Sequence, residues 1–259
     1  MSQRPLILLS NDDGVDARGL RAIREQLAEI ADVVTVAPAT QQSAGSHSLT
    51  LHRPLRHRAL ASDLHSVDGT PADCIYVALY RERFLPRWPD LVVSGINHGY
   101  NLGTDIFYSG TVAAAREASL RGIPSIALSL GPKGDFEEAA RVGMRLAARA
   151  LDTPGDDGER GALLNVNFPP AVPYRGVRAT RLGRRIYLDE VTVRTDPRGK
   201  EYYWIGGPGS HHEPIEGADT EAVDDGYVSV TPLVLDATDA GELGYAAWVA
   251  GVGVEDREP

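Results

Sequence analysis

Within the first forty residues an apolar run, Leu6 to Leu9, is stopped by Ser-Asn-Asp-Asp-Gly, an amphipathic stretch follows, and a β-branched run, Asp32 to Pro38, comes next. Strand, helix and strand in so short a span argue for a right-handed βαβ unit, and hence for a parallel sheet. From Ala17 to Ile30 the apolar residues Leu20, Ile23, Leu27 and Ile30 share one helical face, and Asp16 is placed to cap it. The alternation continues. Helices are expected from Pro71 to Phe84, with Pro71 in the first turn, from Ser109 to Gly122, and from Phe136 to Leu151. Strands are expected at Asp90 to Gly95, Ser125 to Leu130 and Ala162 to Pro169.

The pattern predicts an α/β fold, a Rossmann-like three-layer α/β/α sandwich with a mostly parallel sheet. After Pro173 the texture becomes β-rich, and RIYLDEVTVRTD and KEYYWIGG, joined at Pro197 to Gly199, predict a C-terminal β-hairpin extension. The polar stretch Gly209 to Asp225 reads as a loop near the active face, Gly226 to Leu233 as a strand that closes the core, and the tail EDREP as disordered. The whole chain, 1–259, is expected to form a single domain: a core of about 1–173 and 226–250, with an excursion over about 174–225.

A formal net charge of −10 repels a polyanion and excludes polymeric nucleic acid as the expected partner. A small phosphate ester remains compatible where a metal or a helix N-terminus reverses the local field. No segment has the length and apolarity of a membrane span, and the single Cys74 suits a reducing compartment, so a cytoplasmic protein is expected. Cys74 itself reads as a small buried hydrophobe in a helix.

In a parallel sheet ligands bind outside the carboxyl ends of the strands. Three polar segments follow strands there: Asn11-Asp12-Asp13-Gly14, Thr40 to Gly45, and Asn97-His98-Gly99. An isolated Asp-Asp-Gly reads as an Asx turn plus a helix cap; its place at a strand end, with polar loops after two other strands, favours a metal site. Asp12, Asp13, the Ser43 hydroxyl and the Asn97 amide oxygen make a hard oxygen donor set, which selects Mg²⁺ or Mn²⁺ over structural zinc. Tyr108-Ser109-Gly110-Thr111 opens an alanine-rich helix, where free amides and the helix dipole make a phosphate cradle; the competing reading is a Ser cap alone. Gly69 to Asp73 reads equally as a substrate contact or a rigid helix start. His47, His98, His211 and His212 fall in predicted loops and read as solvated rather than catalytic; His52, His57 and His65 lie among basic or strand-like residues.

At these residues the chain resembles the SurE family of survival-protein nucleotidases. The resemblance is carried by ILLSNDDGVDARGL, VAPATQQSAGSHSLTL, VDGTPADC, PDLVVSGINHGYNLGTDIFYSGTVAAAREA, GIPSIALSL and LLNVNFP, spread over Ile7 to Pro169. It implies that Asp12, Asp13, Ser43 and Asn97 hold one divalent cation per subunit. It also implies that Ser109, Gly110 and Thr111 bind phosphate, that Asn11 lines the site, and that nucleoside 5′- and 3′-monophosphates are substrates. A hairpin exchanged between subunits implies a homodimer or homotetramer.

The expected chemistry is in-line attack of water on phosphorus beside a divalent cation, with Asp12 or Asp13 as base or relay. Short polyphosphate is a further substrate compatible with it. A phosphatase forming an aspartyl-phosphate usually shows Asp-x-Asp-Gly, whereas these aspartates are adjacent, and a dehydrogenase would need a G-x-G-x-x-G turn after the first strand. A non-catalytic nucleotide-binding regulatory module is the alternative of a different class.

Overall fold

The computed structural model describes residues 4–152, 162–187, 191–206 and 209–251. Strand β1 (Leu6–Ser10) is buried along its whole length, as a short apolar run without alternation must be when helices cover both faces of a sheet. Helix α1 (Arg18–Leu27) turns Leu20, Ile23 and Leu27 inward. Its N-cap is Ala17, in extended conformation and without a side-chain cap, because the turn bonding Ala17 N to Gly14 O (3.1 Å) leaves Asp16 one residue too early to cap.

Strand β2 (Asp32–Pro38) follows. Next come β3 (His57–Ala61), exposed along its whole length, and β4 (Leu64–Val67), largely buried but polar at His65 and Ser66. Helix α2 (Pro71–Tyr80) stops four residues before the expected Phe84, whereas β5 (Leu91–His98) runs past Gly95 to the edge of the site. Helix α3 (Gly110–Ser119), β6 (Ser125–Leu130), α4 (Phe136–Leu151) and β7 (Leu163–Phe168) complete the alternation. Beyond it lie β8 (Val177–Ala179), β9 (Arg185–Tyr187), β10 (Val191–Thr195), β11 (Glu201–Ile205), β12 (Ser210–His212), α5 (Asp219–Asp224), β13 (Val228–Leu233) and α6 (Leu243–Ala250).

Among the described residues nine strands form one sheet in the order β3-β4-β2-β1-β5-β6-β7-β13-β8. The run from β4 to β7 is parallel; β3 and β13 are antiparallel to β4 and β7. The chain moves outward from β1 to β2 and β4, then returns to lay β5 against the other side of β1. That reversal opens a crevice at the carboxyl ends of β1 and β5, where ligands of such sheets bind.

Two cores sandwich the sheet, and β1 feeds both by simple alternation. Ile7 and Leu9 pack with Leu20, Ile23, Leu27 and Ala140 under α1 and α4; Leu6 and Leu8 pack with Ile75, Cys74 and Ala118 under α2 and α3. Burying each of the larger side chains is worth roughly 1.5–3 kcal/mol. The α/β sandwich expected from the sequence is therefore present. Cys74 is buried and free, as a small core residue should be.

The extension is a hairpin in two parts. β10 pairs antiparallel with β11 from Val191↔Ile205 to Thr195↔Glu201, and nearer the body β9 pairs with β12. The expected loop at Gly209 to Asp225 is instead β12 and then α5, whose Asp219 and Ala222 are buried against the sheet edge. The tail EDREP lies outside the described residues. Among the described residues no helix is long and apolar enough to cross a membrane.

Candidate active site

A cavity of about 250 Å³ opens at the crevice and is lined by Asp12, Asp13, Ser43, Asn97, Tyr108 and Ser109, among others. Sequence-distant segments thus meet at one point: the turn after β1, the loop after β2, the end of β5 and the start of α3. Asp12 is buried, and its Oδ1 accepts a hydrogen bond from the Thr111 hydroxyl at 2.5 Å. Burial pushes the Asp12 carboxyl up to about 6; the Thr111 bond opposes that shift and the neighbouring Asp13 charge adds to it. Asp13 is more open, with Oδ2 accepting from the His98 backbone N–H at 3.0 Å.

Asn97 reaches the cavity because β5 carries a register shift between Ser94 and Asn97. The shift turns on Gly95, whose φ of +135° and the 2.4 Å from a hypothetical Cβ to Leu128 O exclude any side chain. Asn97 Nδ2 donates to Gly99 O at 3.0 Å, which leaves Oδ1 as its free coordinating atom. Ser43 accepts from Gln41 Nε2 at 2.9 Å, on a loop held in left-handed backbone at Ala44 (φ +57°) and Ser46 (φ +52°). Such conformations cost roughly 1–3 kcal/mol each and persist only where surroundings over-determine them. Here Ser46 N donates to Tyr108 O (3.0 Å), Ser46 Oγ to Phe107 O (2.6 Å), and His47 pairs with the buried Glu117 (2.8 Å).

Ser109 is the N-cap of α3, its hydroxyl accepting from Val112 N at 3.1 Å. The amides of Gly110 and Thr111 occupy the first turn, where a helix offers its N–H groups no internal acceptor. Gly110 has a second reason to lack a side chain: a Cβ there would stand 2.8 Å from Asp12 Cβ and 3.1 Å from Pro71 Cγ. The glycine permits close approach of Asp12. Asn11 is fully buried, with Nδ2 donating to Gly14 O at 2.9 Å while Oδ1 has no partner among the described residues.

The residues fit a divalent cation on two observations. The donors are all oxygens, and a carboxyl pushed up by burial beside a second carboxylate is a site a cation stabilises. Among the described residues no group of three or more His, Cys, Asp or Glu side chains is arranged for a metal.

Several site residues lie outside the sequence-based set. Asn101 lines the cavity, and its backbone is pinned by Asn165 and Asn167: its N–H donates to Asn167 Oδ1 (2.9 Å), and its carbonyl accepts from Asn165 Nδ2 (2.7 Å) and Asn167 Nδ2 (3.1 Å). The signal was polar residues at alternate positions of an otherwise apolar, largely buried strand. Asp105, Tyr100 and Tyr187 also line the cavity, Tyr187 arriving on β9 from the extension. His98 ends β5 with its backbone on Asp13, and His211 and His212 stand in β12 rather than in a loop. Gly69 to Asp73 forms a capping box, Thr70 and Asp73 exchanging hydrogen bonds at 2.9 and 3.1 Å, as a rigid helix start.

Fold and site together define a doubly wound α/β protein with an acidic, oxygen-lined cleft at its topological switch point, facing a helix N-terminus. The family profile described as "Survival protein SurE" matches residues 7–189. The chain is 59% identical over 249 residues to 5′-nucleotidase SurE of Sorangium cellulosum, covering 95% of this chain and 96% of the relative. It is 46% identical over 238 residues to 5′-nucleotidase SurE of Vibrio vulnificus, covering 91% and 92%. The crystal structure of the SurE protein from Aquifex aeolicus superposes with a TM-score of 0.82 at 42% identity, covering 95% of this chain and all of that one. The chain belongs to the SurE family.

Proposed function

We propose that the protein is a divalent-metal-dependent phosphomonoesterase that hydrolyses nucleoside 5′- and 3′-monophosphates to nucleoside and phosphate. The observation that carries this reading is the facing of Asp12 and Asp13 against the first turn of α3 across one cavity. The relatives named 5′-nucleotidase support the substrate class.

In this reading Asp12, Asp13, Ser43 and Asn97 hold one Mg²⁺ or Mn²⁺, which supplies positive charge to the phosphoryl oxygens and makes a water more acidic. The Ser109 hydroxyl and the amides of Gly110 and Thr111 bind the phosphoryl oxygens, with the dipole of α3 behind them. Asn11 shapes the turn that presents both carboxylates. Water attacks phosphorus in line; its oxygen forms the new P–O bond as the ester P–O bond breaks, Asp12 or Asp13 takes its proton, and the leaving nucleoside oxygen gains a proton from solvent.

The reading extends to assembly and setting. The β10–β11 ribbon exposes Val191, Val193, Tyr203, Trp204 and Ile205, and a two-stranded ribbon is marginal alone, which supports a homodimer or homotetramer built through the hairpin. The lone buried thiol of Cys74 supports a cytoplasmic protein.

The test is phosphate release from nucleoside monophosphates with Mg²⁺, with Mn²⁺ and with chelator, wild type beside Asp13→Asn. Release that needs the cation and disappears in the folded variant is expected. Nucleotide binding without release would move the protein to the regulatory-module reading.

A further inference from the structure

Two tyrosines, Tyr108 and Tyr187, stand in the cavity wall. Tyr108 is 68% exposed although it directly precedes the cap Ser109, and Tyr187 is 46% exposed at the end of β9. Both backbones are fixed. The Tyr108 N–H donates to Asp105 O and its carbonyl accepts from Ser46 N, each at 3.0 Å. Tyr187 is fixed at its side chain too: its hydroxyl donates to Asp105 Oδ1 at 2.7 Å. The Arg185 guanidinium bonds the same carboxylate and lies 5.2 Å from the Tyr187 ring centroid. Burial, and then the bond to Asp105, pushes the Tyr187 phenol up to about 12, so it stays a neutral donor with its ring locked in place.

A locked, solvent-facing aromatic ring beside a phosphate cradle has lost its rotamer entropy before any ligand arrives. Water is a poor partner for such a ring, whereas a flat π-face is a good one. Asp105 is the joint: its backbone carbonyl takes the amides of Tyr108 and Ser109 (3.0 and 3.1 Å), and its carboxylate takes Tyr187 and Arg185. Through Asp105 the ring from the extension is therefore linked directly to the phosphate end of the site.

We propose that Tyr187, flanked by Tyr108, is the platform on which the nucleobase of the substrate stacks, so that the hairpin extension supplies base recognition. The inference rests on the nucleotidase reading and names the part of that site which distinguishes a nucleotide from any other phosphate ester. Stacking on an aromatic side chain tolerates every base, so this platform selects nucleotides as a class and ranks the bases weakly.

The experiment compares kcat/KM for AMP and for ribose 5-phosphate, which keeps sugar and phosphate and lacks the base, in wild type, Tyr187→Ala, Tyr187→Phe and Tyr108→Ala. Loss of one stacking contact is worth about 5- to 150-fold, so Tyr187→Ala is expected to lower the AMP to ribose 5-phosphate ratio at least about fivefold, mainly through KM. Tyr187→Phe keeps the ring and is expected to retain most of the ratio, and Tyr108→Ala to lose a smaller part of it. A ratio that stays within about twofold of wild type in Tyr187→Ala, or equal losses on both esters, overturns the platform and leaves the nucleotidase reading standing. Release of phosphate from neither ester by wild type with Mg²⁺ or Mn²⁺ overturns both.

Discussion

Thr111 Oγ1 donates to Asp12 Oδ1 at 2.5 Å across 99 residues of sequence, joining the first turn of α3 to the end of β1. Thr111 is fully buried, so its hydroxyl serves Asp12 rather than solvent. Thr111→Val keeps the shape and removes that bond. Partners of this kind behind a metal ligand typically contribute 10–100-fold. Phosphatase activity and Mg²⁺ affinity are both expected to fall by about that factor while the thermal midpoint moves little, and Thr111→Ser should recover most of the loss. Steady-state kinetics across a Mg²⁺ titration reads the effect; unchanged rates in Thr111→Val would show that Asp12 needs no orienting partner.

Glu117, almost wholly buried on α3, accepts from His47 Nε2 at 2.8 Å and from Arg121 at 2.8 and 3.2 Å. Burial alone would push its carboxyl up, but the bonds from His47 and Arg121 hold it below the ordinary carboxylate value. Its contribution to stability is therefore present above the unfolded value and is lost only as pH falls through the lower folded one, so it is intact at neutral pH. Glu117→Ala leaves the Arg121 guanidinium and the His47 ring without their buried acceptor and is expected to cost about 3–5 kcal/mol. Urea unfolding at pH 7 measures that, and hydrogen exchange should show faster opening of residues 44–50, the loop that His47 ties down. A loss under about 1 kcal/mol would mean that the loop repacks without the pair.

Legibility followed burial. β6 and α4 lie where the sequence places them because SIALSL is buried throughout and Phe136–Leu151 is strongly amphipathic. β3 was missed because all five of its residues are exposed, and an edge strand carries no apolar signature. α5 was read as loop because DTEAVD is polar and short, and only the tertiary structure shows its Asp219 to be fully buried. Within the site, adjacent aspartates at a strand end announce themselves. Tyr187 does not: a tyrosine in a β-rich ribbon looks like any other until the chain returns to Asp105, 82 residues away.

The edge hairpin should respond to acid. His57 Nε2 lies 3.2 Å from His65 Nδ1, the Arg81 guanidinium stands 3.4 Å from His57 Nδ1, and both rings meet Phe84 edge-on. His57 is held below the ordinary histidine value by burial and then by Arg81; His65 by burial and then by His57, with Asp63 opposing. The unfolded chain thus binds more protons just below pH 6.5, so stability rises with pH there and is lost on acidification through the folded values. A fall in thermal midpoint between about pH 7 and pH 5 is expected, made shallower by His57→Gln with His65→Gln. Parallel curves for variant and wild type would assign the acid response to other groups.

Asp219 ties the extension to the site. Its Oδ2 accepts from Gly103 N (2.9 Å), at the start of the turn that carries Asp105, and its Oδ1 from Gly183 N and Thr220 N (2.8 Å each). Gly103 must be glycine there, since φ is +52° and a Cβ would stand 2.6 Å from Gly183 O. Asp219→Ala strands three buried amides, each worth roughly 1–3 kcal/mol when left unpaired, so a loss of at least about 3 kcal/mol is expected from urea unfolding. Because Gly103 and Gly183 lead to Asp105 and to β9, activity on nucleotides should fall more steeply than the folded fraction, measured at a temperature where the variant is folded. Asp219→Asn keeps one acceptor oxygen and should fall between the two. If the alanine variant loses stability but keeps wild-type kcat/KM on nucleotides, the extension would be positioned by the β9–β12 pairing instead.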